Sequence, residues 1–194
     1  MVTVMSMYEP ETSDNEAQRP LRRTEYDQLV REGFFVDDKI ELLRGRMVPM
    51  SPQGTGHAET LRRLNRLLNA ALLERADIQV QSPIAASDES EPEPDIAVIP
   101  RGTYLDDHPS QAFLIVEIAE SSIARDRRKA NIYASMKIPE YWLVDVKRRI
   151  VEVRTEPEGG EYLRVVPRRD EDSITLTAFP DVALRVSDIL PPRS

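Results

Sequence analysis

Residues 94–145 read PDIAVIPRGTYLDDHPSQAFLIVEIAESSIARDRRKANIYASMKIPEYWLVD, and this stretch sets the fold class. Three apolar runs in it, IAVI from Ile96, FLIVEIA from Phe113 and YWLV from Tyr141, are bounded by turn residues, the pattern of strands buried on both faces of a sheet. Each run carries a lone carboxylate at an edge or in its middle: Asp95, Glu117 and Asp145. A carboxylate in such a place is costly unless something compensates it.

Glu117 is the sharpest case. Phe113, Leu114, Ile115 and Val116 precede it and Ile118 and Ala119 follow, so no neighbour marks a wet face and a cation is expected opposite it. Asp95 opens the preceding strand directly after Pro94, where the chain is held extended and a side chain points out over the strand end. The two acids then converge across adjacent strands. A helix is expected over 124–136, and in it Asp126, Lys129 and Tyr133 share one face by their spacing. Strand, strand and helix thus supply an aspartate, a glutamate and a lysine, with Tyr133 supporting the lysine one turn on. Taken alone, Asp95 reads as a strand-end carboxylate and Lys129 as a solvated helix lysine. Glu117 has no such ordinary reading, because glutamate is almost never fully buried without a partner and perturbed acids cluster at functional sites.

The motifs also carry a family resemblance. TEYDQL, KIELLRGRMVPMSP, GHAETLRRLNRLL, the PD at 94–95, LIVEIAESS, RDRRKANIYA, IPEYWLVD, VEV and a later EY follow one another in matching order from about Leu21 to Ile189. In this they resemble the Uma-type restriction endonucleases, a bacterial branch of the PD-(D/E)XK nuclease superfamily. The resemblance implies an α/β restriction-endonuclease-like fold, a mixed β-sheet core flanked by helices, and metal-dependent hydrolysis of phosphodiester bonds in nucleic acid, DNA foremost. It implies Glu41, Asp95 and Glu117 as ligands of Mg²⁺ or Mn²⁺, hard cations that take oxygen donors. It also implies Asp95, Glu117 and Lys129 as the catalytic set. The superfamily's lysine two residues after the glutamate is missing, since Ala119 stands there, and the resemblance moves that role to Lys129. Similar sequences have glycine before IPEYW, where this chain has Lys137, a change that bears on the turn. A nuclease acting on both strands of a duplex commonly needs two active sites, so a homodimer is expected.

The chain as a whole fits this class. Its 194 residues suffice for one domain with a sizeable core, expected over 21–194 behind a disordered acidic tail over 1–20. There is no cysteine, which excludes disulfides, thiolate metal sites and cysteine nucleophiles. No apolar run approaches the roughly 20 residues needed to span a bilayer, and no basic segment followed by an apolar one opens the chain, so a cytoplasmic protein without membrane contact is expected. The net charge of −8 opposes binding to nucleic acid. Basic groups at Arg62, Arg63 and Arg66, at 125–129 and at 147–149 leave room for a basic rim around an acidic site.

Elsewhere, Thr24 is read as the N-cap of a short helix carrying Tyr26, Leu29 and Val30 on one side and closed by Gly33. KIELL and RMVPM form a hairpin across Arg44-Gly45, which places Ile40 and Leu42 on one face and Glu41 on the other. Taken alone, Glu41 is an exposed strand position, and only the resemblance makes it a ligand. The best helix runs from His57 to about Arg75 with Leu61, Leu64, Leu68, Ala71 and Leu72 as its core stripe, and His57 at its start is an accessory candidate. SDESEPEP before Asp95 reads as a solvated loop whose acids are not ligands. The alternating runs after Asp145 read as an antiparallel extension of the sheet, with the final PDVALRVSDILPP packing as an edge strand and a last turn.

Two tempting motifs fail. Tyr133 and Lys137 have the spacing of a short-chain dehydrogenase pair, but no glycine-rich nucleotide loop follows a strand. His57-Ala-Glu59 imitates a zinc deaminase, whose two cysteines are missing. The competing function class is a catalytically silent nuclease-fold module that binds protein or nucleic acid, since fold alone does not fix function.

Overall fold

The computed structural model describes residues 19–120 and 123–193. The expected acidic tail therefore lies outside the described residues except for Arg19 and Pro20. Four helices and ten strands run in the order α1 (Arg23–Arg31), β1 (Ile40–Leu43), β2 (Arg46–Pro49), α2 (Thr55–Leu72), β3 (Asp77–Val80), β4 (Ile96–Ile99), β5 (Leu114–Ala119), α3 (Ile123–Ser135), β6 (Glu140–Asp145), β7 (Ile150–Glu158), β8 (Glu161–Arg168), β9 (Ser173–Leu176), β10 (Phe179–Arg185) and α4 (Val186–Ile189). Six strands form a mixed sheet in the order β3-β4-β5-β6-β7-β8, in which β5 and β6 are parallel and every other pair is antiparallel. The parallel pair needs a crossover, and α3 supplies it.

The three apolar runs of the sequence are β4, β5 and β6, and all of their residues are buried. Strand alternation divides them between two cores. Ile96, Val98, Leu114, Val116, Ile118, Trp142 and Val144 face Leu64, Leu68 and Leu72 of α2. Ala97, Ile99, Ile115, Ala119, Tyr141 and Leu143 face Ala130, Tyr133 and Ala134 of α3. Because side chains alternate with period two, Glu117 falls on the α3 face with Ile115 and Ala119. Each fully buried leucine of α2 contributes about 1.5–3 kcal/mol. This helix starts two residues before His57 and stops at Leu72, and the DIQV segment behind it forms the short edge strand β3.

Several local expectations are corrected. The N-cap of α1 is Arg22, and Glu25 accepts a hydrogen bond from its backbone N–H at 2.8 Å. Tyr26 is the buried residue of α1 while Val30 stays exposed. The helix does end at Gly33, whose φ of +79° and N–H bond to the Val30 carbonyl, with Phe34 N–H on the Leu29 carbonyl, complete a Schellman turn. At the other end of the chain, β9 and β10 pair as a separate two-stranded sheet. Their Ile174, Leu176, Phe179 and Leu184 close the α2-side core, together with Ile189 and Leu190, so they cover a face of the main sheet and do not extend its edge.

The end of α3 explains what Lys137 does. Ile138 N–H bonds the Tyr133 carbonyl and Lys137 N–H the Ala134 carbonyl, again a Schellman turn, and Lys137 sits at its left-handed position with φ +59°. An L-residue with a Cβ costs roughly 1–2 kcal/mol in that conformation, and Lys137 is exposed. Lys137→Gly is therefore expected to stabilise the fold by about 1 kcal/mol, a rise of about 2–4 °C in Tm for a chain of this size. A differential scanning melt reads it directly, and a fall in Tm would count against the turn geometry described.

Candidate active site

Glu41 owes its place to the β1–β2 hairpin. Arg44 (φ +50°) and Gly45 (φ +71°) make the two-residue turn, and a Cβ on Gly45 would meet Pro20 at 2.3 Å, so the chain entering α1 packs directly on the glycine. Leu42 and Glu91 exchange backbone hydrogen bonds at 2.8 and 3.3 Å, which lays the Ser90–Asp95 segment along the hairpin. Glu93 N–H then donates to Glu41 Oε2 at 3.2 Å. Glu41 is consequently 2% exposed, not the exposed strand position that alternation alone suggests. The same contact overturns the solvated reading of SDESEPEP, because Ser90, Glu91, Pro92 and Pro94 are all buried. Burial pushes the Glu91 carboxyl up to about 7, with nearby Asp27 adding to the rise and Arg23 opposing it.

Lys129 is the centre of the site. It projects from α3 into the sheet, 3% exposed, with its Nζ 2.7 Å from Glu117 Oε1 and 2.8 Å from Glu41 Oε2. The solvated reading of this lysine is thereby corrected. One ammonium bridges two carboxylates that come from β1 and β5. Burial alone would lower the lysine pKa, but the two carboxylates outweigh it and hold Lys129 charged. Tyr133, one turn further along α3, donates its hydroxyl to Glu117 Oε1 at 2.7 Å. Its phenol is buried beside that carboxylate and is held well above its ordinary pKa, so it stays a neutral donor.

Asp95 precedes β4 and is held by three contacts, the weakest a 3.4 Å hydrogen bond from the Gln81 side-chain amide to Oδ1. Its Oδ2 accepts the Ile118 backbone N–H at 2.7 Å, and its Oδ1 lies 3.0 Å from His57 Nε2. His57, in the first turn of α2, is buried, and its Nδ1 has no hydrogen-bond partner among the described residues. The structure thus brings Asp95 and His57 together as one pair and Glu41, Glu117, Lys129 and Tyr133 together as another group. All but Tyr133 line a single cleft of about 310 Å³.

The same cleft is lined by Glu93 and Glu120, which the sequence pattern did not place there, by Asp126, which shares its helix face with Lys129, and by Arg125 and Lys147 from the basic groups read as a rim. Glu93 had a detectable signal: in EPEPD, Glu91, Glu93 and Asp95 alternate with prolines in an extended chain. Arg125 is four residues before Lys129, which puts both on one face of α3.

Positive charge is scarce inside this cleft. Burial, and then Asp95, Asp126 and Glu41, push the Glu117 carboxyl up to about 8 against the opposing pull of Lys129, so Glu117 takes up a proton around neutrality. Among the described residues no three acidic or histidine side chains stand together as a ready ligand set. The donor chemistry nonetheless fits a hard divalent cation, since Glu41, Asp95 and Glu117 bring carboxylate oxygens to one cleft.

A comparison with protein families gives the frame. The model of Uma2, described as a putative restriction endonuclease, matches residues 23–187. The chain belongs to the Uma2 family. A crystal structure described as a putative nuclease of DUF820 from Anabaena variabilis ATCC 29413 is similar to it, with a TM-score of 0.71 over 88% of this chain and 97% of that one at 18% identity. At that identity the likeness establishes the fold, the mixed α/β architecture described above. No curated protein matches the sequence. Among the described residues no helix is long and apolar enough to cross a membrane.

The raised Glu117 carboxyl fixes the sign of a stability profile in chelator. An ordinary glutamate titrates near 4.5, so between there and about pH 8 the folded protein holds a proton that the unfolded chain releases. That contribution is complete below 4.5 and is lost as pH rises through 8. Glu117→Gln keeps the shape without the charge and is expected to flatten the decline in Tm over this window, leaving it equal to wild type near pH 4.5 and progressively above it from there to pH 9. Parallel Tm-against-pH profiles of the two proteins would contradict the assignment.

Proposed function

We propose that this protein is a metal-dependent endonuclease that hydrolyses phosphodiester bonds of nucleic acid, with DNA as the first substrate to test. The observation that carries this reading is the convergence of Glu41, Glu117 and Lys129 from three separate elements on one cleft, 2.7–2.8 Å from one another through the ammonium, with Asp95 opening into the same cleft. Family membership supports the reaction class.

Glu41, Asp95 and Glu117 would hold Mg²⁺ or Mn²⁺. Such an ion supplies a water of lowered pKa and neutralises charge that develops on the phosphoryl oxygens. The chain's own groups do the rest. Lys129, beside Glu41 and Glu117, would orient the attacking water. Tyr133 keeps Glu117 in place through its 2.7 Å hydroxyl bond. His57 holds Asp95 through Nε2 and stands ready to move a proton at the cleft wall. The chain would act as a homodimer, so that both strands of a duplex are reached; a monomeric mass by light scattering at micromolar concentration would contradict this.

One observation favours a second reading. Lys129 already compensates two of the three acids, and an ion pair of this kind is also what a silent nuclease-fold module would keep to bind protein or nucleic acid.

Two variants separate these readings. Lys129→Ala leaves buried carboxylates unpaired and is expected to cost about 3–5 kcal/mol at pH 9. The cost is smaller at pH 6, where Glu117 protonates. Hydrolysis should be abolished while Mn²⁺ still raises Tm, because the ligands remain. Glu117→Gln should abolish hydrolysis and shrink the Mn²⁺-induced shift, which follows RT ln(1 + [L]/Kd). The measurements are cleavage of mixed DNA and RNA substrates in Mg²⁺, Mn²⁺ and chelator, and melts with and without Mn²⁺. A wild type that Mn²⁺ does not shift, together with a Glu117→Gln variant destabilised by several kcal/mol, would replace the enzyme with the binding module.

A further inference from the structure

Arg125 is the least explained cation of the cleft. It lies one turn before Lys129 on the same face of α3, so the two side chains enter the cleft in sequence, Lys129 at its floor and Arg125 at its mouth. Its guanidinium donates from one terminal nitrogen to the Pro49 carbonyl at 2.9 Å and from the other to Ser51 Oγ at 2.8 Å. Both acceptors are neutral, and no carboxylate among the described residues pairs with it. Arginine has five N–H donors, so three remain for another acceptor. Lys147, in the turn after β6, lines the same cleft, is exposed and likewise makes no ion pair among the described residues.

A half-buried guanidinium held in a fixed orientation by neutral oxygens keeps its full charge available. Its planar fork matches phosphate oxygens better than a lysine does. Facing it are the acids of the cleft floor, which repel a polyanion. A nucleic-acid strand can therefore approach that floor only if cations at the mouth grip its backbone. The net charge of −8 sharpens the requirement, because the grip must be local.

Resting on the nuclease reading of this cleft, we propose that Arg125, with Lys147 on the same cleft, binds a backbone phosphate of the substrate strand next to the scissile bond. Its bonds to Pro49 and Ser51 orient the guanidinium for that contact while tying the hairpin that carries Glu41 to the helix that carries Lys129.

The test is fluorescence anisotropy of the full chain with end-labelled duplex and single-stranded DNA of mixed sequence, in Ca²⁺ and in EDTA, across a salt series. Arg125→Ala is expected to weaken binding about tenfold or more. It should also make the slope of log Kd against log salt shallower by about one, and adding Lys147→Ala should remove about one more. Arg125→Lys should restore the salt slope but only part of the affinity, since it keeps charge and loses the fork. In cleavage assays Arg125→Ala should raise KM by a larger factor than it lowers kcat. An Arg125→Ala variant with lowered Tm but wild-type Kd and salt slope would show that Arg125 only ties the hairpin to α3 and would overturn the inference. Lys147→Ala, at an exposed position, reads the same slope where Arg125→Ala fails to fold, and an unchanged slope there counts against the inference. If wild type cleaves DNA and none of these variants alters Kd or slope, this inference falls and the nuclease reading stands. If wild type neither binds nor cleaves nucleic acid, both fall together.

Discussion

The ammonium of Lys129 between Glu41 and Glu117 is the constraint to which much of this structure answers. Two carboxylates and one lysine, each at most 4% exposed, have been taken out of water, with one ammonium compensating both acids. The three residues belong to β1, α3 and β5, which the chain separates by up to 88 positions. Their pairing therefore fixes the hairpin and the helix against the central strand. Apolar packing alone would hold α3 on the sheet through Ala130, Tyr133 and Ala134, but it would not set which residue stands over Glu117. A hydrophobic triad could be equally stable, so the ion pairs point to a use beyond folding.

That arrangement was partly legible in the sequence. Glu117 announced itself because an acid inside FLIVEIA has no wet face to turn to, and the spacing of Asp126, Lys129 and Tyr133 located the compensating helix. That β4, β5 and β6 are strands buried on both faces followed from the same runs. Glu41 was not legible from its own strand. Alternation in IELL correctly set it opposite Leu42, but that opposite face is covered by Ser90–Pro94, a segment whose composition reads as solvated. The error at both places has one cause: backbone pairing between Leu42 and Glu91 joins residues 49 positions apart, and no local pattern reports it. The β9–β10 pair misled for a similar reason. Alternating runs announce strands, but whether they add to an edge or cover a face depends on which core their apolar side can reach.

The buried acids also explain how a chain with net charge −8 accommodates an acid-lined cleft. Within the cleft, Glu117 is pushed up to about 8, chiefly by burial, so part of the formal charge is neutralised by a proton near neutral pH. In the proposed nuclease a cation entering the cleft would compete with the proton on Glu117, which would couple ion occupancy to pH through a residue in the middle of the sheet.

The position of the lysine follows from the same geometry. Ala119 stands two residues after Glu117, on the same face of β5, 2% exposed and packed into the core that α3 closes. A lysine there would have to thread its stem through that core alongside Tyr133 to reach the carboxylate. With α3 seated over this face, the shorter route to Glu117 is from the helix, and Lys129 takes it while Tyr133, one turn on, bonds the same oxygen. Placing the ammonium on the helix has a consequence that a strand lysine lacks: its distance from the acids depends on how α3 sits, and α3 is tied at its start by Arg125 to Pro49 and Ser51 and at its end by the turn at Lys137. The geometry of the cleft floor is thus set by contacts at both ends of one helix, one turn before Lys129 and about two turns after it.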